Sequence, residues 1–238
     1  MNVQAVIFDI YGTLLEVRPP PDDAPARWIA LWQDRLKTAP RLTLAEFGAE
    51  CDRIIAREHA EARSRGIPFP EVCWPAVVLE AAPEIASLPE QERFDFQFEQ
   101  AGLWHEVRLM AGAAPVLEGL ADAGRPAGLA SNSQPYTLQE LDRGLSGAGL
   151  SRQAFAPDLC FLSFEHGFSK PDPHVFRLLA ARLEMRGVEP GRTLMVGDRW
   201  DHDIEPALAQ GWQAWHLTDR PAGSPAGSWA DLSRFLFS

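Results

Sequence analysis

A doubly wound α/β fold with a parallel sheet and one inserted helical block is the architecture this sequence predicts, on three observations. Short apolar runs alternate with helical patterns across residues 107–238. One further apolar run, Ala5–Phe8, stands alone near the start, far ahead of that alternation. Residues 18–106, between the two, show helical periodicity and no convincing strand.

Ala5–Phe8 is uninterrupted apolar, the pattern of a strand buried on both faces of a parallel sheet. Asp9 stands at its carboxyl end, with Gly12 and Thr13 in the following turn. Ligands of open α/β sheets bind at such strand ends, so Asp9 is placed to act as nucleophile or metal ligand. Asp also starts turns for local reasons, and this stretch alone does not separate the two. Pro19, Pro20 and Pro21 then end regular structure. Residues 26–37 and 43–64 carry apolar side chains at helical spacing, and Thr43 with Glu46 forms a capping-box pattern. Residues 66–70 break the run, and two more helices are expected near 71–81 and 89–103. Trp28, Trp32, Trp74 and Trp104 read as anchors of a helical core rather than as ligand stackers.

From Leu109 the strand–helix alternation resumes. A helix is expected over 112–124, then a strand over 126–130 ending at Ser131, Asn132 and Ser133. A helix over 136–144 and a strand over 159–162 follow, then a loop over 167–173 that carries Lys170. Next come a helix over 174–186, a strand over 193–196 ending at Gly197 and Asp198, a helix over 204–210 and the strand Gln213–Leu217. Residues 221–228, rich in Pro, Gly and Ser, read as a loop before a short closing helix. Five strands alternating with helices imply right-handed crossovers and a doubly wound parallel sheet. The boundaries expected are a core of residues 1–17 and 107–238 and a helical insert of residues 18–106.

The net charge of −11 and the lack of any Lys/Arg-rich run argue against nucleic acid or an anionic membrane as partner. Apolar residues at 46% and charged residues at 23% support a sizeable core. Cys51, Cys73 and Cys160 form no CxxC pair and read as reduced thiols outside any disulfide frame or zinc site. No signal-peptide pattern and no apolar run near the ~20 residues of a membrane span occur, so the cytoplasm is the expected location. The expected partner is a small anionic molecule, and the chain is expected to act as monomer or homodimer.

Four of the strands lead to polar residues in a fixed order: Asp9, then Ser131, then Lys170, then Asp198 with Asp203. Singly each has a local explanation as turn former, helix cap or solvated loop cation. In order they resemble the four signatures of the haloacid dehalogenase superfamily: acid, hydroxyl, lysine, and Gly-Asp with a further acid. The first signature, Asp-x-Asp-Gly-Thr-Leu, is matched by Asp9-Ile10-Tyr11-Gly12-Thr13-Leu14 except at Tyr11. The resemblance spans Asp9 to Asp203 and implies a Rossmann-like core with residues 18–106 as an all-helical cap of the C1 type.

That resemblance implies a hydrolase whose Asp9 attacks an anionic ester and forms an aspartyl intermediate. Two anions need a cation between them. Asp9, Asp198 and the backbone carbonyl of Tyr11 would make a hard-oxygen site suited to Mg²⁺, with Asp203 orienting from behind. Lys170 would balance the charge on Asp9 and the transferred group. Ser131, Asn132 and nearby amides would bind phosphoryl oxygens, and Thr13 would fix the loop.

Tyr11 departs from the family's phosphatases, in which a second Asp protonates the leaving alkoxide and then activates water. A phenol with an ordinary pKa of about 10 is a poor base at neutral pH. A slow phosphatase, one using another acid, and different chemistry all remain open. The family's 2-haloacid dehalogenases have Asp-x-Tyr-Gly-Thr-Leu and no metal, because a halide leaves without a proton. Their fourth signature resembles Ser-Ser-Asn-x-Trp/Phe-Asp, whereas here Trp200 takes the Asn position and Asp198 is retained. An added carboxylate beside Asp9 is costly without a cation, so Asp198 points to Mg²⁺ and an oxyanion substrate. The leading expectation is a Mg²⁺-dependent phosphatase of a small phosphorylated metabolite. The alternatives are a metal-free dehalogenase and a catalytically impaired binding protein of the same fold. Arg199, Trp200 and His202 are expected to flank the pocket, His202 as a proton relay or a solvated helix-start residue. Arg27, Glu58 and His59 of the cap are candidates to face it, and residues near Trp74 to set substrate choice.

Overall fold

A computed structural model of the chain describes residues 3–219 and 225–238. In chain order its first elements are β1 (Ala5–Phe8), β2 (Leu15–Arg18), α1 (Ala24–Leu36), α2 (Leu44–Ser64), α3 (Trp74–Ala81), α4 (Glu90–Ala101) and β3 (Glu106–Leu109). There follow α5 (Ala113–Asp122), β4 (Ala127–Ser131), α6 (Pro135–Ser146), β5 (Phe155–Leu162), α7 (Ser163–His166) and α8 (Pro173–Met185). The last are β6 (Thr193–Gly197), α9 (Glu205–Ala209), β7 (Gln213–Leu217), β8 (Ala226–Gly227) and α10 (Trp229–Phe237).

Six strands form one parallel sheet in the order β5–β4–β1–β6–β7–β8. From β1 the chain winds outward through β4 and β5, then returns to the other side of β1 for β6 to β8. The strand order therefore reverses at β1, and such a reversal opens a crevice at the strands' carboxyl ends. All four residues of β1 are buried. Val6 and Phe8 join a core with Val116 and Leu120 of α5, Leu141 of α6 and Leu232 of α10. Ala5 and Ile7 face the other way, into a core with Phe176 and Leu179 of α8 and Ala207 of α9. Helices on both faces leave no water-facing side, which is why this strand reads as a continuous apolar run.

Helices α1 to α4 hold a third apolar cluster of their own, centred on Trp28, Trp32, Phe47 and Phe96. The Trp28 ring centroid lies 4.9 Å from Phe47 and 5.5 Å from Trp32. Trp74 also belongs to this cluster, and Trp104 packs against it, as expected for core anchors. The capping box of α2 forms as the sequence predicts: Thr43 Oγ1 accepts from Glu46 N at 3.2 Å, and Glu46 Oε2 accepts from Thr43 N at 2.8 Å. Cys51, Cys73 and Cys160 are free thiols. Among the described residues no helix is long and apolar enough to cross a membrane.

Several features correct the sequence reading. The helical block is entered and left through β2 and β3, an antiparallel pair in which Glu16 faces Arg108. Each is four residues long, charged and half exposed, too short for its alternation to register. β5 begins at Phe155, ahead of Pro157 and Asp158, and a register irregularity against β4 between Ala127 and Leu129 absorbs those breakers. Residues 71–73 are not helical; Glu71 N donates to Gly167 O at 3.0 Å, so this segment lies on the core before α3 begins. β8 occupies part of the expected 221–228 loop and pairs with His216 and Leu217, while residues 220–224 fall outside those described. Residues 200–204 form one wide π-helical turn ahead of α9 rather than the start of an ordinary helix.

Candidate active site

Three strand ends and one loop bring residues to the crevice at the end of β1. Asp9 follows β1, Ser131 ends β4, Lys170 lies in the loop between α7 and α8, and Asp198 follows β6. Lys170 Nζ donates to Asp9 Oδ1 at 2.7 Å and to Asp203 Oδ1 at 2.5 Å. Carboxylate oxygens of Asp9, Asp198 and Asp203 lie within 4.8 Å of one another. Thr13 Oγ1 sits 3.4 Å from both Asp9 Oδ2 and Asp198 Oδ1, bridging the two acids at the long edge of hydrogen bonding. The cleft above them encloses about 350 Å³ and is lined by Tyr11, Gly12, Asn132, Arg199 and His202 as well as the acids and Lys170.

Backbone geometry makes this convergence possible. A Cβ on Gly12 would meet Asp198 Oδ2 at 2.3 Å, and Gly12 also has a left-handed φ of +73°. A Cβ on Gly197 would meet Asp203 Oδ2 at the same 2.3 Å. The wide turn over 200–204 carries Asp203 inward, where Oδ2 accepts from Arg199 N at 3.0 Å while Oδ1 takes the Lys170 ammonium.

Three carboxylates, Asp9 and Asp203 buried and Asp198 half-buried, against one ammonium leave this group with two negative charges in excess. Asp9 responds: burial pushes its pKa up to about 6, Lys170 pulls it back, and Asp203 and Asp198 push it up again. Burial, then Asp203, also raises the Asp198 carboxyl. For Lys170 burial acts to lower the pKa, but the two facing acids outweigh it and the net shift is upward. The donor set fits Mg²⁺, since hard carboxylate oxygens with uncancelled negative charge are what a small divalent cation takes. Asp9, Asp198 and the Tyr11 carbonyl would hold it. Ser131 Oγ, at the end of β4, is buried and finds no hydrogen-bond partner among the described residues, but Ser131 is not among the residues that line the cleft.

Asn132 is placed differently from a free substrate ligand. Its Oδ1 accepts from Lys170 N at 2.7 Å and its Nδ2 donates to Lys170 O at 2.9 Å, so both ends of the amide hold the lysine's main chain. Tyr11 also lines the cleft, but its hydroxyl points away from the acids. It donates to Glu140 in a short hydrogen bond and lies 2.9 Å from Thr137 Oγ1. Burial first, and then the Glu140 charge, raise the phenol pKa far above its ordinary value. Tyr11 therefore stays protonated, its hydroxyl hydrogen donated to Glu140.

Glu140, Thr137 and His105 escape a reading confined to sequence. Glu140 is buried on α6, and its Oε1 lies 2.9 Å from His105 Nε2. A Glu three residues from a Thr on an amphipathic helix looks like ordinary surface chemistry; only the inward turn of Tyr11 reveals it. Of the helical-block candidates, Arg27 borders a separate cavity of about 610 Å³ beside His105 and Glu140. Glu58 borders another groove with Glu71. His59 Nε2 is buried without a partner among the described residues. None of the three lines the cleft around Asp9. His202 does line it, with Nδ1 2.9 Å from Asp201 Oδ2, and Trp200 is half exposed. Near Trp74 the block is pinned to the core: Glu71 accepts from Ser163 Oγ at 2.6 Å and from Gln134 Nε2 at 2.9 Å.

The sequence profile of haloacid dehalogenase-like hydrolases matches residues 3–211. A phosphoserine phosphatase of Thermus thermophilus is 32% identical over 139 residues, 58% of this chain and 51% of that protein. The chain thus spans about half the length of that curated relative. A 2-haloacid dehalogenase from Pseudomonas syringae has a similar structure, with TM-score 0.63, 21% identity and 98% of each chain covered. So does a phosphatase from Thermococcus onnurineus, with TM-score 0.56, 22% identity, and 99% of this chain and 98% of that one covered. At such identities the two structures speak for the fold alone.

Proposed function

The chain belongs to the haloacid dehalogenase-like hydrolase family, and from that premise we propose that it is a Mg²⁺-dependent phosphatase of a small phosphorylated metabolite, working through an aspartyl phosphate on Asp9. One observation carries the proposal: the half-buried Asp198 converges on the buried Asp9 and Asp203, a third carboxylate beside two that already share Lys170. A metal-free hydrolase gains nothing from that extra charge. When bound, Mg²⁺ supplies the charge cancellation that lets an anionic nucleophile meet an anionic ester. Asp9 Oδ2, the oxygen not held by Lys170, is the one free to attack. Lys170 keeps Asp9 oriented, and Ser131 Oγ donates to a phosphoryl oxygen. Asn132 keeps Lys170 in place, and Asp203 fixes the lysine from the other side.

A dehalogenase is the second reading, favoured by one specific observation. The Tyr11 proton is committed to Glu140, and a halide needs no proton to leave. Release of p-nitrophenolate from p-nitrophenyl phosphate and of chloride from 2-chloropropionate, each with Mg²⁺ and with chelator, separates the readings. Phosphate release that chelator abolishes is the expected result. Chloride release that persists in chelator would establish the dehalogenase instead.

The glycine cradle gives a further expectation. Gly197→Ala must displace Asp203 and with it Lys170. Misplacing such a group by about 1 Å costs about 10²-fold in rate, so kcat for p-nitrophenyl phosphate should fall by that order while the fold, followed by circular dichroism, persists. A variant with unchanged kcat would show that Asp203 does not position the lysine.

A further inference from the structure

We propose that Glu140 withdraws the Tyr11 hydroxyl from proton transfer and thereby restricts efficient turnover to phosphoryl donors whose leaving group departs without a proton, acyl phosphates foremost. The inference rests on the phosphatase reading and goes beyond it to the class of substrate.

A hydroxyl has one proton to give, and that of Tyr11 goes to Glu140. Thr137 Oγ1 accepts from Gln134 N at 3.1 Å, which leaves its own hydrogen to point at the Tyr11 oxygen 2.9 Å away. Donor and acceptor sides of the tyrosine are thus both engaged. Thr137 and Glu140 sit three residues apart on one face of α6 and are both buried. His105 Nε2 braces the far oxygen of Glu140, and its ring meets Tyr11 edge-on with centroids 5.8 Å apart. Around Asp9, Lys170 is held by two acids, Asn132 by the Lys170 backbone, and Arg199 by Asp201 at 2.9 Å. A guanidinium does not give up a proton at usable pH.

An alkoxide is a far stronger base than a carboxylate, so an alkyl phosphate needs an acid where an acyl phosphate does not. In the first half, the Asp9 Oδ2–phosphorus bond forms as the phosphorus–oxygen bond to the acyl group breaks, and the electron pair leaves with the carboxylate. In the second, water oxygen bonds to phosphorus and the bond to Asp9 breaks, returning its electron pair to the carboxylate. Both protons of the water end on the released phosphate.

The test compares kcat/KM, which reports the step in which the leaving group departs, for acetyl phosphate and for glycerol 1-phosphate in saturating Mg²⁺. A missing general acid costs about 10²–10⁴-fold, so acetyl phosphate should be turned over faster by that factor. Glu140→Ala should narrow the ratio by freeing Tyr11, whereas Glu140→Gln, whose amide oxygen still accepts the phenol proton, should keep it. Should the alanine variant fail to fold, Tyr11→Asp serves, and it should narrow the ratio at least tenfold. Wild-type rates within tenfold of each other would overturn the inference while leaving a phosphatase, with His202 the next acid to consider. Release of phosphate from neither ester would overturn the phosphatase reading, and the inference with it.

Discussion

Asp9→Asn is expected to abolish turnover and, in the same molecule, to make the metal-free chain more stable at neutral pH. Loss of a covalent nucleophile costs on the order of 10⁴-fold or more in rate, because an amide neither attacks phosphorus nor accepts the transferred group. The stability gain follows from the raised Asp9 pKa. The folded chain holds the Asp9 proton up to about pH 6, whereas the carboxyl's ordinary value is 3.8. Between those values the folded state binds more protons than the unfolded one, so stability falls as pH rises through this window. Asn has no proton to lose. Urea midpoints measured in chelator should therefore separate between about pH 4 and pH 6, with the variant ahead by on the order of 3 kcal/mol above it. A variant less stable than wild type at pH 7 would mean that Asp9 is well solvated or fully paired.

Lys170→Met should have the opposite effect on stability. The lysine is the sole cation within reach of Asp9 and Asp203 among the described residues, and its ammonium is buried with them. Removing one partner from a buried pair typically costs about 3–5 kcal/mol, because the remaining charge has lost both water and partner. Here two acids lose the same partner, so the loss should lie at the upper end. Added Mg²⁺ should recover part of it by supplying positive charge to the same oxygens, and thermal midpoints with and without Mg²⁺ measure that recovery. Equal midpoints for variant and wild type in chelator would show that the acids do not depend on the lysine.

These two results depend on residues that the sequence already singles out, and the reason is positional. In a doubly wound sheet the chain returns to the same edge after each crossover, so polar residues just past apolar strands must meet there. Asp9 and Asp198 satisfy that rule and line the cleft, Ser131 satisfies it as the last residue of β4, and Lys170 reaches the cleft from a loop beyond α7. Asp203 obeys a subtler one, since it depends on the wide turn over 200–204 that no periodicity announces. The β2–β3 pair escapes notice because its ladder is short and half exposed, with charges at alternate positions. Asn132 is legible as a site residue but not in its role, because which partners a side-chain amide takes depends on a loop 38 positions away. Glu140 lies furthest from view. Its meeting with Tyr11 spans 129 positions and joins a helix face to a turn, a contact that neither element's own pattern encodes. Tyr11 marks the chemistry as unusual; Glu140 states where its proton goes.

Central to all of this is a divalent cation shared by Asp9 and Asp198. Anomalous scattering from a crystal soaked in Mn²⁺, a stand-in for Mg²⁺ with the same taste for oxygen ligands, tests it most directly. A single peak at bonding distance, roughly 2.0–2.3 Å, from one oxygen of each carboxylate is the result predicted. Saturating metal with no peak there, or a peak held only by surface acids, would contradict the account.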